Sequence, residues 1–145
     1  MYTVDASVHL SALNPYEPGS AASQTFLGLV HRRQIPLFCP TLLPVEVAAA
    51  VARAVGDAGR AVAIATVLRG LPNQTLVPLD DALADVAARL AATSRLRGAG
   101  AVYAAVAQQY GTTLITLDRQ QLERLPPTVR TVRPADVLGE IETSS

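Results

Sequence analysis

Thr113-Leu114-Ile115-Thr116-Leu117-Asp118 is a run of β-branched and apolar residues that ends on an acid. Such a run reads as a buried strand, because branched side chains suit a pleated, enclosed surface. The Ala-rich segment Ala99–Tyr110 before it reads as a helix, with Gly111 suited to the left-handed position just past a helix end. A short helix, Gln120–Leu125, follows and is stopped by Pro126-Pro127. The opening of the chain repeats this order of strand, acid and helix: Met1–Val4, then Asp5, then Val8–Leu13.

Working outward, Ile35–Cys39, Gln74–Val77 and Val129–Val132 are the other strand candidates. Helices are expected over Ala21–Arg33, from Thr41–Pro44 to Val55 with Thr41 as cap and Gly56 as stop, and over Asp57–Leu68. Another starts at Asp80 or Asp81, carries Leu83, Val86 and Leu90 on one face, and pairs Asp85 with Arg89 one turn on. Pro134–Leu138 is a last turn or helix. The expected organisation is one domain over residues 1–139, with Glu140–Ser145 a frayed tail. Strands alternating with helices imply βαβ units, a parallel sheet and the α/β class.

Of the 145 residues, 50% are apolar and 17% charged, enough to bury a real core and too apolar for a disordered chain. No apolar run approaches the ~20 residues that span a bilayer, and the N-terminus reads as a strand rather than a leader. With one cysteine, Cys39, there is neither an internal disulfide nor a multi-cysteine zinc site, and the expected setting is cytoplasmic. Net charge is zero, all 12 basic residues are Arg, and aromatic residues are sparse. No basic field or stacking ladder advertises a nucleic acid. His9 and His31 lack a second His or Cys at ligand spacing and read as exposed or locally bonded.

Asp5 and Asp118 would both emerge at the carboxyl ends of strands, where open parallel sheets bind ligands. Glu46 lies in the opening turns of the third helix. Carboxylates gathered on one edge repel unless a cation lies between them, and Mg²⁺ or Mn²⁺ suits oxygen ligands. The same residues also fit a plainer account: Asp5 and Asp118 as helix N-caps, Glu46 as a partner of the helix dipole. A phosphatase-like site is disfavoured, because Asp5-Ala6-Ser7 lacks a second acid two residues on.

Four landmarks occur in order: Val4-Asp5-Ala6-Ser7, Pro44-Val45-Glu46-Val47, Leu96-Arg97-Gly98-Ala99-Gly100-Ala101-Val102-Tyr103, and Thr113 to Asp118. Together they resemble the PIN-domain family, and within it the VapC-type toxins, over nearly the whole chain. The resemblance implies a three-layer αβα sandwich around a parallel sheet. It implies an Mg²⁺- or Mn²⁺-dependent endoribonuclease toxin, paired with a cognate antitoxin, commonly a homodimer, and acting on RNA. Asp5, Glu46 and Asp118 would hold the metal, with Ser7 and Thr116 as supporting hydroxyls.

The departure is Gly100, which stands where the family's pattern has Asp. Losing that carboxylate weakens or silences the site, and Gly100→Asp is then expected to recover metal-dependent cleavage. The alternative is a catalytically dead PIN-fold module that binds an antitoxin or RNA. Ala21–Arg33 and Asp57–Leu68 carry more apolar residues than one buried face needs and are the expected contact surfaces.

Overall fold

A computed structural model describes residues 1–144. The elements run β1 (Tyr2–Val4), α1 (Ala6–Leu13), α2 (Ser20–Arg32), β2 (Leu37–Pro40), α3 (Leu42–Val55), α4 (Ala58–Arg69), β3 (Gln74–Val77), α5 (Asp81–Ser94), α6 (Gly98–Tyr110), β4 (Thr113–Ile115), α7 (Arg119–Arg124), β5 (Thr131–Val132) and α8 (Pro134–Thr143). The five strands form one parallel sheet in the order β3-β2-β1-β4-β5. From β1 the chain steps outward through β2 to β3, then returns past β1 to β4 and β5. Right-handed crossovers therefore put α1 to α4 on one face and α5 to α7 on the other. The result is an α/β three-layer sandwich, as the alternating pattern implies.

The layers follow from side-chain size. In α6 every residue from Ala101 to Ala107 is buried, and four of the seven are Ala. Small side chains let this helix lie close across β1, β2 and β4 while α5 packs on its other side. On the opposite face Phe26 and Val30 of α2 are fully enclosed, and Phe26 meets Tyr2 edge-to-face at 5.5 Å between ring centroids. Gly56 and Gly111 end α3 and α6 at φ of 70° and 63°, where a Cβ would be strained.

Several boundaries differ from the sequence reading. Thr41 does not cap α3: its backbone is helical and its side chain takes no capping bond, while its N–H pairs with the Val77 carbonyl. The strand β4 stops at Ile115: the Thr116 N–H still pairs with the Val132 carbonyl of β5, but the Leu117 N–H turns to Ser7 of α1 and the Asp118 N–H to the Thr116 hydroxyl. Residues 140–143, read as frayed, complete α8, since Ile141 is buried and Arg33 at the end of α2 donates to its carbonyl. Ser145 lies outside the described residues. His9 is neither exposed nor locally bonded. It is buried, its Nε2 has no partner, and desolvation lowers its pKa to about 4.

Candidate functional site: an acidic pocket at the switch of the sheet

The order β3-β2-β1-β4-β5 places the topological switch between β1 and β4, and a crevice opens at the carboxyl ends of those two strands. Asp5 follows β1 directly, and its N–H is tied to the Ile115 carbonyl of β4 at 3.0 Å. Asp118 follows β4 after two residues. Glu46 reaches the same pocket from α3, and Arg97 and Gly100 border it from the start of α6. The sequence-derived residues Asp5, Ser7, Glu46, Gly100 and Asp118 thus all line one pocket; Thr116 lies buried just beneath it.

Both aspartates are also helix caps. One oxygen of Asp5, Oδ2, accepts from the Ser7 N–H at 3.0 Å and starts α1. Asp118 Oδ1 accepts from the Gln121 N–H at 3.1 Å and starts α7. The cap and the pocket are compatible, because a carboxylate has two oxygens. Glu46 is different. It lies in the second turn of α3, beyond the first-turn positions where the dipole acts most strongly.

Ser7 and Thr116 knit the two strand ends together. The Leu117 N–H donates to Ser7 Oγ at 3.0 Å and the Asp118 N–H to Thr116 Oγ1 at 3.0 Å. The two hydroxyls are 3.4 Å apart. Thr116 in turn donates to Gln121 Oε1 at 2.5 Å.

Gln121 is the residue that the sequence reading missed. It is 1% exposed, and its carboxamide projects into the acidic pocket. Nε2 donates to the Gly100 carbonyl at 3.1 Å and approaches Asp5 Oδ1 at 3.4 Å. The amide's orientation follows from its neighbours: a hydroxyl donor on one side, a carbonyl and a carboxylate, both acceptors, on the other. A signal was present in the sequence. Asp118-Arg119-Gln120-Gln121 has capping-box spacing, in which the third residue's side chain normally bonds the N-cap N–H. Here Thr116 already holds that N–H, so the Gln121 side chain is released inward.

The electrostatics are those of acids out of water. Burial raises the Asp5 pKa, hydrogen bonds from Ser7 and Gln121 pull it back, and the Asp118 charge raises it further. Burial also raises Glu46, with a contribution from Asp5. Tyr103 of α6, fully enclosed, lies beside Glu46. Burial, and then the Glu46 carboxylate beside it, push the Tyr103 hydroxyl pKa up, yet ordinary hydrogen-bond geometry between the two is not met. Both Glu46 Oε1 and the Tyr103 hydroxyl are buried without a partner. The carboxylate and the hydroxyl face each other with the hydrogen bond between them unmade.

These residues do not fit a divalent cation as they stand. Among the described residues no group of three or more His, Cys, Asp or Glu is placed to hold one. More telling is the donor set: beside Asp5 Oδ1 lies an amide N–H₂, which offers protons where a cation needs oxygen lone pairs.

The PIN domain profile matches residues 2–126. The chain belongs to the PIN domain family. Three solved structures share the fold. VapC20 of Mycobacterium tuberculosis, described as a sarcin-ricin loop cleaving toxin, superposes with a TM-score of 0.73 at 15% identity, covering 90% of this chain and 99% of that one. FitAcB of Neisseria gonorrhoeae gives 0.68 at 19% identity, with 92% and 98% covered. VapBC2 of Rickettsia felis, bound to a DNA fragment from its promoter, gives 0.68 at 12% identity, with 91% and 97% covered. No curated protein matches the chain by sequence. At such identities the likeness speaks for the PIN fold alone. No helix among the described residues is long and apolar enough to cross a membrane.

Proposed function

We propose that this PIN domain is a binding module that engages an antitoxin-type partner protein, with its acidic pocket closed to metal-dependent hydrolysis. The observation that carries the reading is the environment of Asp5. Gly100 contributes a backbone carbonyl instead of a carboxylate, and the Gln121 amide fills the space between that carbonyl and Asp5. A toxin-antitoxin complex from Klebsiella pneumoniae, which shares the fold, supports a partner of that class.

The surface supports a protein partner better than RNA. Grooves bounded by α1, α3 and α4 are lined by Leu13, Val55, Ile64 and Val67, and the larger encloses about 520 Å³. Leu13, Val62 and Val67 are 52%, 62% and 66% exposed. Helix α4, within the stretch read as a contact surface, buries only Ala61 and Leu68. Such a groove suits the apolar face of an amphipathic helix. The chain has no net charge to draw RNA. A homodimer belongs to this proposal, and light scattering of the purified chain tests it.

One observation favours the second reading, a weakened Mg²⁺- or Mn²⁺-dependent endoribonuclease: Asp5, Glu46 and Asp118 line one pocket. The two separate in one pair of experiments. The unaltered chain is incubated with total RNA and Mg²⁺, Mn²⁺ or EDTA, and is co-expressed with the protein encoded beside it. The binding module leaves RNA intact under all three conditions and elutes as a stable complex. EDTA-sensitive cleavage by the unaltered chain would overturn it in favour of the nuclease.

A further inference from the structure

We infer that Gln121 is a built-in occupant of the acidic pocket, matched to Gly100, and that this pair rather than the missing carboxylate alone keeps divalent cations out. The inference deepens the reading of a closed pocket and rests on it.

Three observations carry it. First, the carboxamide is fully used. Its oxygen accepts from Thr116 at 2.5 Å, and its nitrogen serves both the Gly100 carbonyl at 3.1 Å and Asp5 at 3.4 Å. A buried carboxylate facing a pocket needs a proton donor or a cation, and Asp5 already has donors on both oxygens, Ser7 N–H and Gln121 Nε2. Second, the fit depends on residue 100 having no side chain. A Cβ at Gly100 would lie 3.2 Å from Gln121 Nε2 and 3.6 Å from its Cγ. Glycine leaves the amide uncrowded, where any side chain would press on it. Third, Gln121 is held at its root as well as its tip, because its backbone N–H caps onto Asp118. Gln121 is thus tied to two of the three acids that a cation would have to draw together, to Asp5 by its side chain and to Asp118 by its backbone.

A consequence separates this inference from simple loss of an acid. An Asp introduced at position 100 would project its carboxylate onto the Gln121 amide. The two would hydrogen-bond each other, and the new acid would be consumed inside the pocket instead of being offered to an ion. Restoring the carboxylate alone is then insufficient; the amide has to go as well.

The test is a Mn²⁺ titration by calorimetry, with melting temperature against Mn²⁺ as a second readout, on four proteins: the unaltered chain, Gly100→Asp, Gln121→Leu, and the double variant. The isosteric Gln121→Glu is added because it keeps the packing while turning the amide into an oxygen ligand, so the test survives if a Leu variant does not fold. The expected result is no saturable binding to the unaltered chain or to Gly100→Asp. The double variant and Gln121→Glu should bind saturably, roughly 10-fold or more above any residual affinity of Gly100→Asp, a typical size for a residue that orients metal ligands, and should melt higher with Mn²⁺ present. If Gly100→Asp binds as tightly as the double variant, Gln121 is a bystander and the inference falls. If neither the folded double variant nor Gln121→Glu binds, the pocket is closed for another reason; the inference falls while the binding-module reading stands. Tight binding by the unaltered chain overturns both.

Discussion

Two glycines in the first turn of α6 give a controlled measure of how firmly Gln121 is held. Gly98 and Gly100 both have ordinary helical backbones, and replacing either with Ala removes the entropy cost of glycine in a helix, worth up to ~1 kcal/mol. At Gly98 the added Cβ meets nothing within 4 Å, so Gly98→Ala is expected to stabilise by up to ~1 kcal/mol. At Gly100 the same methyl lies 3.2 Å from Nε2 of a side chain that is 1% exposed and bonded at both ends. The amide has to retreat by a few tenths of an ångström, and the contacts to Gly100 and Asp5 weaken first. A neutral hydrogen bond is worth about 1 kcal/mol net and one to a charged group ~1.5–3 kcal/mol. Partial loss of both outweighs the helix gain, so Gly100→Ala is expected to destabilise by about 1 kcal/mol. The two variants then differ by ~2 kcal/mol, or roughly 4–8 °C in melting temperature for a chain of this size. Urea denaturation with an unchanged slope gives the difference directly. If Gly100→Ala matches Gly98→Ala, the amide yields freely and is no fixed part of the pocket.

Other groups carry equally direct expectations. Burial raises the Glu46 pKa above its ordinary 4.5, so the charge costs stability at neutral pH and the cost fades as pH falls toward that value. Glu46→Gln should therefore raise the urea midpoint at pH 7.5, by an amount that shrinks on acidification; a lower midpoint at pH 7.5 would contradict this. His9 has the opposite sign: its folded pKa is about 4 against 6.5, so stability is lost as pH falls through that interval, by up to ~3 kcal/mol. His9→Leu should remove that part of the acid sensitivity, and an unchanged pH profile would refute the burial of a neutral imidazole. Cys39 is fully enclosed and its thiol is pushed up to about 12. A disulfide reagent at pH 8 should label it only as fast as the protein opens, and immediate labelling of the native chain would show the strand exposed.

What the sequence disclosed depended on how far each signal reaches. Central parallel strands read as apolar runs, so β1 and β4 were legible within Met1–Val4 and Thr113–Leu117, while the edge strand β3 was read over Gln74–Val77. The acids past β1 and β4 were legible for the same reason: once the strands are placed, their carboxyl ends are too. Ends fixed by tertiary contacts were not legible. Residues 140–143 look like a polar tail until Ile141 finds its place in the core. His9 looks like any surface histidine until α1 is packed against α2 and α3. Tyr103 stood within a quoted landmark, but only the folded chain brings its hydroxyl beside Glu46. Gln121 was hidden by an ordinary role, since its spacing from Asp118 describes a helix cap, and only the competing bond from the Asp118 N–H to Thr116 frees the side chain.

Helix capping and a place in the acidic pocket are compatible in both aspartates, because each cap uses one oxygen of the carboxylate. Asp5 uses Oδ2 for α1, and Asp118 uses Oδ1 for α7. Capping fixes each carboxylate's position, and the second oxygen of Asp5 faces the Gln121 amide. The fold therefore keeps the geometry of the acidic pocket even when the pocket has no chemistry to perform, because removing either Asp would cost a cap worth ~0.5–2 kcal/mol. Glu46 has no such second duty. Its Oε1 is buried without a partner and its charge is disfavoured there, so stability gives no reason to keep it. If the pocket is permanently closed, Glu46 is the acid whose removal should leave partner binding untouched and stability improved. If the unaltered protein instead weakens its complex when Glu46 becomes Gln, that carboxylate has a binding role, and the pocket itself is part of the interface.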